Sequence, residues 1–273
     1  MPAPGGPDVP PPHHDGGSSG DSRPDLVLLH GMGDSAHFFD NLLPALAAAY
    51  RVHAVDLPGH GPVARPLSPA EAAPAAMARV VRADLERAGV RSPNLVGFSL
   101  GGWVALEMAA AGYGRSVVAL APPGLWKTPP PAASAGARLV RAGGLRFVDP
   151  LAGVLARWPR LARLAVRGVV VDPAKVSIDQ VVRSARDRRD AKGAGAARRA
   201  VWSSRFAGGA AVTVPVCIAY GDADRVVQSP AEHDLLGPAT RWVLVPHCGH
   251  AMSWDQPEAC LALIAETTAL APA

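Results

Sequence analysis

Six short apolar runs constrain this chain more than any other feature: LVLLH, VHAVDL, NLVGFS, SVVALAP, VPVCIAY and RWVLVPH. Each is rich in Val, Leu and Ile and lacks polar alternation, the pattern of a strand buried on both faces. Helical patterns separate most of them: HFFDNLLPALAAAY, SPAEAAPAAMARVVRADLERAGV, GGWVALEMAAAGYG and DQPEACLALIAETTAL. Parallel neighbours need a long crossover, and a helix supplies it. The alternation therefore predicts an α/β fold, a mostly parallel sheet with helices on both faces. Hydrophobic residues make up 49% of the chain and charged residues 18%, enough for a large core and too apolar for a disordered protein.

The rhythm fails between Gly124 and Ala211. Arg-rich helical segments, DPLAGVLARWPRLARLAVRGV and SIDQVVRSARDRRDAKGAGAARRAVW, stand there between two strands. This predicts a helical cap at 124–211 inserted into a core formed by 25–123 and 212–273. Residues 1–24 combine Pro, Gly, Ser and Asp with few apolar side chains, and are expected to be a disordered tail. No apolar run reaches the roughly 18 residues of a membrane span, so stable membrane insertion is not expected. The first residues lack the charged start and apolar stretch of a signal peptide, which makes a cytoplasmic protein the expectation. Cys217, Cys248 and Cys260 are odd in number and lack metal or redox spacing; they read as packing residues rather than a disulfide framework.

Ligands of open α/β sheets sit at the carboxyl ends of the strands, so the residues found there matter most. GMGD follows LVLLH, Ser99 follows NLVGF, GDAD follows VPVCIAY, and CGH follows RWVLVPH. The G-x-S-x-G pattern around Ser99 occurs a second time in GGSSG, Gly16 to Gly20, which has neither a strand before it nor a helix after it. Only Ser99 stands at a strand-to-helix break. A serine, two candidate aspartates (Asp222 and Asp224) and a histidine thus follow different strands, in the order Ser, Asp, His.

The pieces HGMG, DLPGHG, GFSLGG, GDADRVV and CGHAMSWDQPE, in this order, resemble the α/β-hydrolase family. The resemblance covers most of residues 25–270 outside the insertion. It implies Ser99 as nucleophile and His250 as base, with a carboxylate holding the imidazole in the right tautomer. The family pattern G-x-x-D, placed on Gly221, implies Asp224 as that acid; Asp222 is the alternative, as His247 is to His250. The backbone N–H groups of Met32 and Leu100 are the implied oxyanion donors. No cofactor is implied, and the His247, Cys248, His250 group lacks the further ligands of a metal site. Many relatives carry a β-hairpin before the first strand; here only the Gly/Pro-rich tail stands there, so six strands are expected, without that hairpin.

Plainer roles stand beside these. Ser99 could serve as an ordinary helix N-cap, His30 could pack beneath the turn it begins, and Trp103 and Met108 read as packing residues. Leu125, Trp126, Trp158 and Trp202 fit either packing or substrate contact. The resemblance implies a serine hydrolase acting on a small or medium carboxylic ester, a small-molecule substrate, through an acyl-enzyme. C–C, thioester or lactone hydrolysis, perhydrolysis, and a binding protein that keeps the fold are the alternatives. Ser99 argues against halide- and epoxide-opening chemistry, which places an acid at that position.

Between Gly124 and Ala211 stand 17 Lys and Arg against 5 Asp, whereas the rest of the chain has 10 basic and 18 acidic residues. Such a cap either steers an anionic substrate or acidic partner toward the site or merely solvates helix faces. The sign alternation of RDRRD favours solvated faces. Without interleaved aromatics or a binding motif, nucleic acid is not an expected partner. The oligomeric state is not specified by any of these features.

Overall fold

The structure, a computed structural model, describes residues 13–14, 22–62, 64–129, 158–230 and 233–272. Its strands are β1 (His13–His14), β2 (Asp25–Leu29), β3 (Arg51–Val55), β4 (Asn94–Phe98), β5 (Ser116–Leu120), β6 (Val216–Gly221) and β7 (Arg241–Val245). They form one sheet in the order β1-β3-β2-β4-β5-β6-β7. Every pairing from β3 to β7 is parallel. Leu29 pairs with Gly97 and Phe98 with Leu120, while Gly221 pairs with Val245. The carboxyl ends of these strands therefore open toward the same edge of the sheet.

All residues of β4, β5 and β6 are buried, which requires cover on both faces. β7 departs from that expectation. It closes the sheet, and Leu244 is 61% exposed because an edge strand lacks a neighbour on one side.

The sheet is covered by α1 (Leu43–Ala49), α2 (Pro74–Arg87), α3 (Leu100–Ala110), α7 (Met252–Asp255) and α8 (Pro257–Ala269). Pro74 and Pro257 each open their helix, where the ring's fixed φ suits the first turn and the missing N–H costs nothing. Between β5 and β6 the described residues hold α4 (Pro159–Val166), α5 (Ile178–Asp190) and α6 (Ala194–Ser203). α5 starts at a capping box in which Ser177 and Gln180 each satisfy the other's backbone N–H. The first half of the helical segment expected from Asp149, up to residue 157, lies outside the described residues.

The tail reading needs a correction at two residues. His13–His14 pairs antiparallel with β3, opposite Ala54 and His53, so among the described residues the sheet holds seven strands rather than six. The open edge of β3 offers backbone donors and acceptors, and pairing with them needs no apolar side chain. Residues 1–12 and 15–21 lie outside the described residues.

Candidate active site

Ser99 stands at the turn from β4 into α3 with φ +50° and ψ −116°, a conformation costing about 1–3 kcal/mol for a residue with a side chain. Its N–H donates to Leu120 O at 2.8 Å, which ties the turn to β5. The flanking glycines are sterically required. A Cβ on Gly97 would lie 2.2 Å from Gly101 O, and one on Gly101 would lie 2.1 Å from Leu29 O. The Ser99 hydroxyl makes no capping bond to α3, which removes the N-cap role.

Instead, Ser99 Oγ lies 3.1 Å from His250 Nε2, and His250 Nδ1 lies 2.8 Å from Asp224 Oδ2. All three side chains are buried. With the carboxylate as acceptor, Nδ1–H donates to Asp224, leaving Nε2 to accept from the Ser99 hydroxyl. The other Asp224 oxygen, Oδ1, accepts the N–H groups of Val226 and Val227 at 2.7 and 2.9 Å. Asp222 is exposed and accepts from Cys248 N–H at 3.1 Å; backbone donors at Cys248 and His247 hold its carboxyl below the usual range. His247 is exposed. Of the two rival pairs, the fold brings Asp224 and His250 to the serine.

The loop after β2 reaches the same place. Buried His30 donates from Nδ1 to Gly31 O at 2.7 Å and accepts Leu57 N–H on Nε2 at 2.9 Å. Only the neutral ring satisfies both bonds, and burial lowers its pKa accordingly. A Cβ on Gly31 would sit 3.4 Å from Ser99 Cβ, so the loop passes directly over the turn. Met32, next in the loop, lines the cavity above Ser99. Leu100 is the first residue of α3, and its N–H therefore has no acceptor within the helix.

Three carboxylates, Asp34, Asp187 and Asp255, hold these loops, a role that the sequence pattern assigned to none of them. Asp34 Oδ1 accepts from Ser184 Oγ at 2.5 Å and from Arg188 at 3.3 Å, and Ser35 Oγ donates to Asp187 at 2.6 Å. These bonds fasten α5 to the loop carrying Met32. Asp255, 1% exposed, accepts the N–H groups of Gly249 at 2.7 Å, Val171 at 2.8 Å and Asp172 at 3.1 Å. It joins the His250 loop to the chain after α4. The Asp255 signal was visible as the carboxylate of CGHAMSWDQPE; the partners of Asp34 lie about 150 residues away and carried none.

A cavity of about 570 Å³ opens above Ser99 and His250. Phe38, Phe98 and Trp254 form its apolar floor, with the Phe38 and Phe98 rings stacked at 4.2 Å. Residues of α4, α5 and α6 form the opposite wall, Trp202 among them. Trp126 stacks on Trp202 at 5.3 Å, whereas Trp158 is exposed. Trp103, Met108 and Leu125 are packed in the core. The three cysteines are buried, and desolvation pushes the Cys248 thiol up to about 12. Among the described residues no group of three metal-binding side chains occurs, and no helix is long and apolar enough to cross a membrane.

A family model described as the alpha/beta hydrolase family matches residues 26–263. The chain belongs to the α/β hydrolase family. Over 96 residues this α/β hydrolase is 46% identical to a pimeloyl-[acyl-carrier protein] methyl ester esterase of Neisseria meningitidis serogroup C, a match covering 33% of the chain and 34% of that protein. The chain thus matches about a third of the length of that curated relative. Among solved structures it is similar to Cfl2 of Burkholderia cenocepacia, with TM-score 0.69 and 22% identity over 90% of this chain and 88% of the other. The enol-lactonase of Burkholderia xenovorans LB400 is likewise similar, with TM-score 0.69 and 19% identity over 93% and 94% of the two chains. At these identities the two structures establish the α/β-hydrolase fold and leave the chemistry to the site.

Proposed function

We propose that this protein is a serine hydrolase that cleaves a small or medium carboxylic ester through an acyl-Ser99 intermediate. The observation that carries the reading is the buried chain of contacts from Asp224 through His250 to Ser99, opening on an apolar-floored cavity. The esterase name of the partly matching relative supports it. In this reading residues 124–211 act as the cap, and 25–123 with 212–273 as the core. The cytoplasmic setting belongs to the same proposal.

Ser99 Oγ attacks the ester carbonyl while its proton passes to His250 Nε2. The imidazolium so formed is stabilised by Asp224, which keeps Nδ1–H as donor throughout. Negative charge developing on the carbonyl oxygen is met by the N–H groups of Met32 and Leu100, the latter at the positive end of α3. Collapse expels the alcohol, which takes the proton from His250. Water then enters, gives its proton to His250, and releases the acid from Ser99 by the same steps in reverse.

A fluorophosphonate probe followed by peptide mapping tests the assignment. Labelling at Ser99 that disappears in Ser99→Ala, together with turnover of 4-nitrophenyl pentanoate by the unmodified protein, is the expected result. Labelling that persists in Ser99→Ala, or labelling without ester turnover, would overturn it. Parallel assays with thioesters and lactones of matched acyl length separate the ester reading from its neighbours.

A further inference from the structure

We infer that the cavity above Ser99 is built to take an ester carrying a second, anionic group, a carboxylate or phosphate, recognised by arginines of α5 and α6. The inference rests on the hydrolase reading for its reaction, and on the cavity wall for its content. Arg188, Arg189 and Arg198 all line the cavity that Ser99 and His250 line, and Asp34 is the one carboxylate among its described lining residues. Asp34 is already shared between Ser184 and Arg188. Arg189 forms its bidentate pair with Asp190 at 2.9 and 3.1 Å, next to it in the chain.

The Arg186–Asp190 cluster thus divides between two environments. Arg186 is exposed and does not line the cavity, while Arg188 is half-buried against the loop after β2. Its Cγ lies 2.9 Å from where a Cβ on Gly33 would stand, one residue past Met32. Arg198, on the next helix, is half-buried at the same cavity. Solvating a helix face does not require half-buried guanidinium groups, such as those of Arg188 and Arg198, at a cavity that Phe38, Phe98 and Trp254 also line; Arg189 is exposed. Three guanidinium groups and one carboxylate line this cavity, which has a different consequence even with Arg188 and Arg189 already engaged in ion pairs and Arg198 making contacts of its own. There an anion meets donors that water screens weakly, and charge-assisted bonds to guanidinium are among the stronger polar contacts. The planar fork suits carboxylate and phosphate alike.

Arg198 is the side chain to test, because Arg188 also fastens Asp34. Arg199, exposed and absent from the cavity lining, removes the same charge from the same helix and serves as the control. Binding is measured by calorimetry in the Ser99→Ala protein, so that turnover plays no part. The ligands are 4-nitrophenyl hydrogen glutarate, 4-nitrophenyl 4-phosphonooxybutanoate and neutral 4-nitrophenyl pentanoate. At least one of the two anionic esters is expected to bind about tenfold or more tightly than the neutral one. Adding Arg198→Gln should bring that ratio to within about threefold, whereas adding Arg199→Gln should leave it near its starting value. Which anion shows the preference identifies the second group. A ratio near one for both anions in Ser99→Ala overturns the inference, as does an equal loss from Arg199→Gln, which would assign the effect to general surface charge. Binding of the neutral ester by the Arg198→Gln protein shows that its cavity has folded. Failure of the hydrolase reading appears separately, as absent turnover by the unmodified protein.

Discussion

Asp224 Oδ2 lies 2.8 Å from His250 Nδ1, and its Oδ1 is held by two backbone N–H groups of the same turn. The carboxylate is therefore fixed in position before it orients the imidazole. Asp224→Asn keeps the shape but can present an N–H to Nδ1, favouring the wrong tautomer. A fall in kcat of about 10³–10⁴ is expected, against less than about tenfold for Asp222→Asn. Steady-state kinetics on one chromogenic ester compares the two, and equal losses would reassign the acid.

The glycines around Ser99 differ sharply from Gly89, Gly112, Gly168 and Gly237, which have open space where a methyl group would stand. Gly101→Ala drives a Cβ into Leu29 O, a backbone atom that cannot swing away. It should cost more than about 3 kcal/mol or prevent folding altogether. Gly89 also has a positive φ, +84°, but nothing lies within 4 Å of its would-be Cβ. Gly89→Ala should cost only about 1 kcal/mol, the left-handed penalty alone. Urea denaturation of both variants reads the difference.

Asp255 binds three backbone N–H groups from two loops. Asp255→Ala leaves these donors without their acceptor and should destabilise the protein by about 2–4 kcal/mol. Because Gly249 precedes His250, kcat should fall as well while the protein remains folded at low temperature. A variant with unchanged denaturation midpoint and full activity would show that this junction has no such role.

His60 is 3% exposed, donates from Nδ1 to Pro58 O, and has no hydrogen-bond partner on Nε2 among the described residues. Burial, reinforced by His30 beside it, lowers its pKa to about 4 from the ordinary 6.5. Between these values the unfolded chain binds the proton and the folded chain does not, so stability falls as pH drops through this window. The contribution of His60 is roughly 3 kcal/mol by pH 4. Thermal melts of the wild type should lose ground from pH 6.5 to 4, and His60→Gln should flatten part of that slope. Parallel slopes for the two proteins would remove His60 from the acid response.

Much of the site is legible in the amino-acid sequence. The six apolar runs announce the parallel sheet, and the residues just beyond them include Ser99, Asp224 and His250. Strand ends are readable because a buried strand leaves an unmistakable run of Val, Leu and Ile. The glycine frame is readable because its backbone demands are local. β1 is not legible, since two histidines pairing through their backbone leave no side-chain pattern. Nor are the partners of Asp34 and Ser35, because Ser184, Arg188 and Asp187 meet them only after α5 has docked on the loop after β2.

The arginines show where this boundary lies. Composition establishes an insertion far more basic than the core, and the alternating signs of Arg186 to Asp190 suggest solvated faces. By itself the sequence determined the alternation of strands and helices, the turn that carries Ser99 and the order of the residues that follow the strands. Family spacing favoured Asp224, but only tertiary structure left Asp222 in solvent and brought Asp224 to His250. It alone also gave the cavity Arg188 and Arg198 rather than Arg186 and Arg199. Local spacing defines the faces of a helix or a turn; which face meets solvent depends on packing against segments distant in the chain.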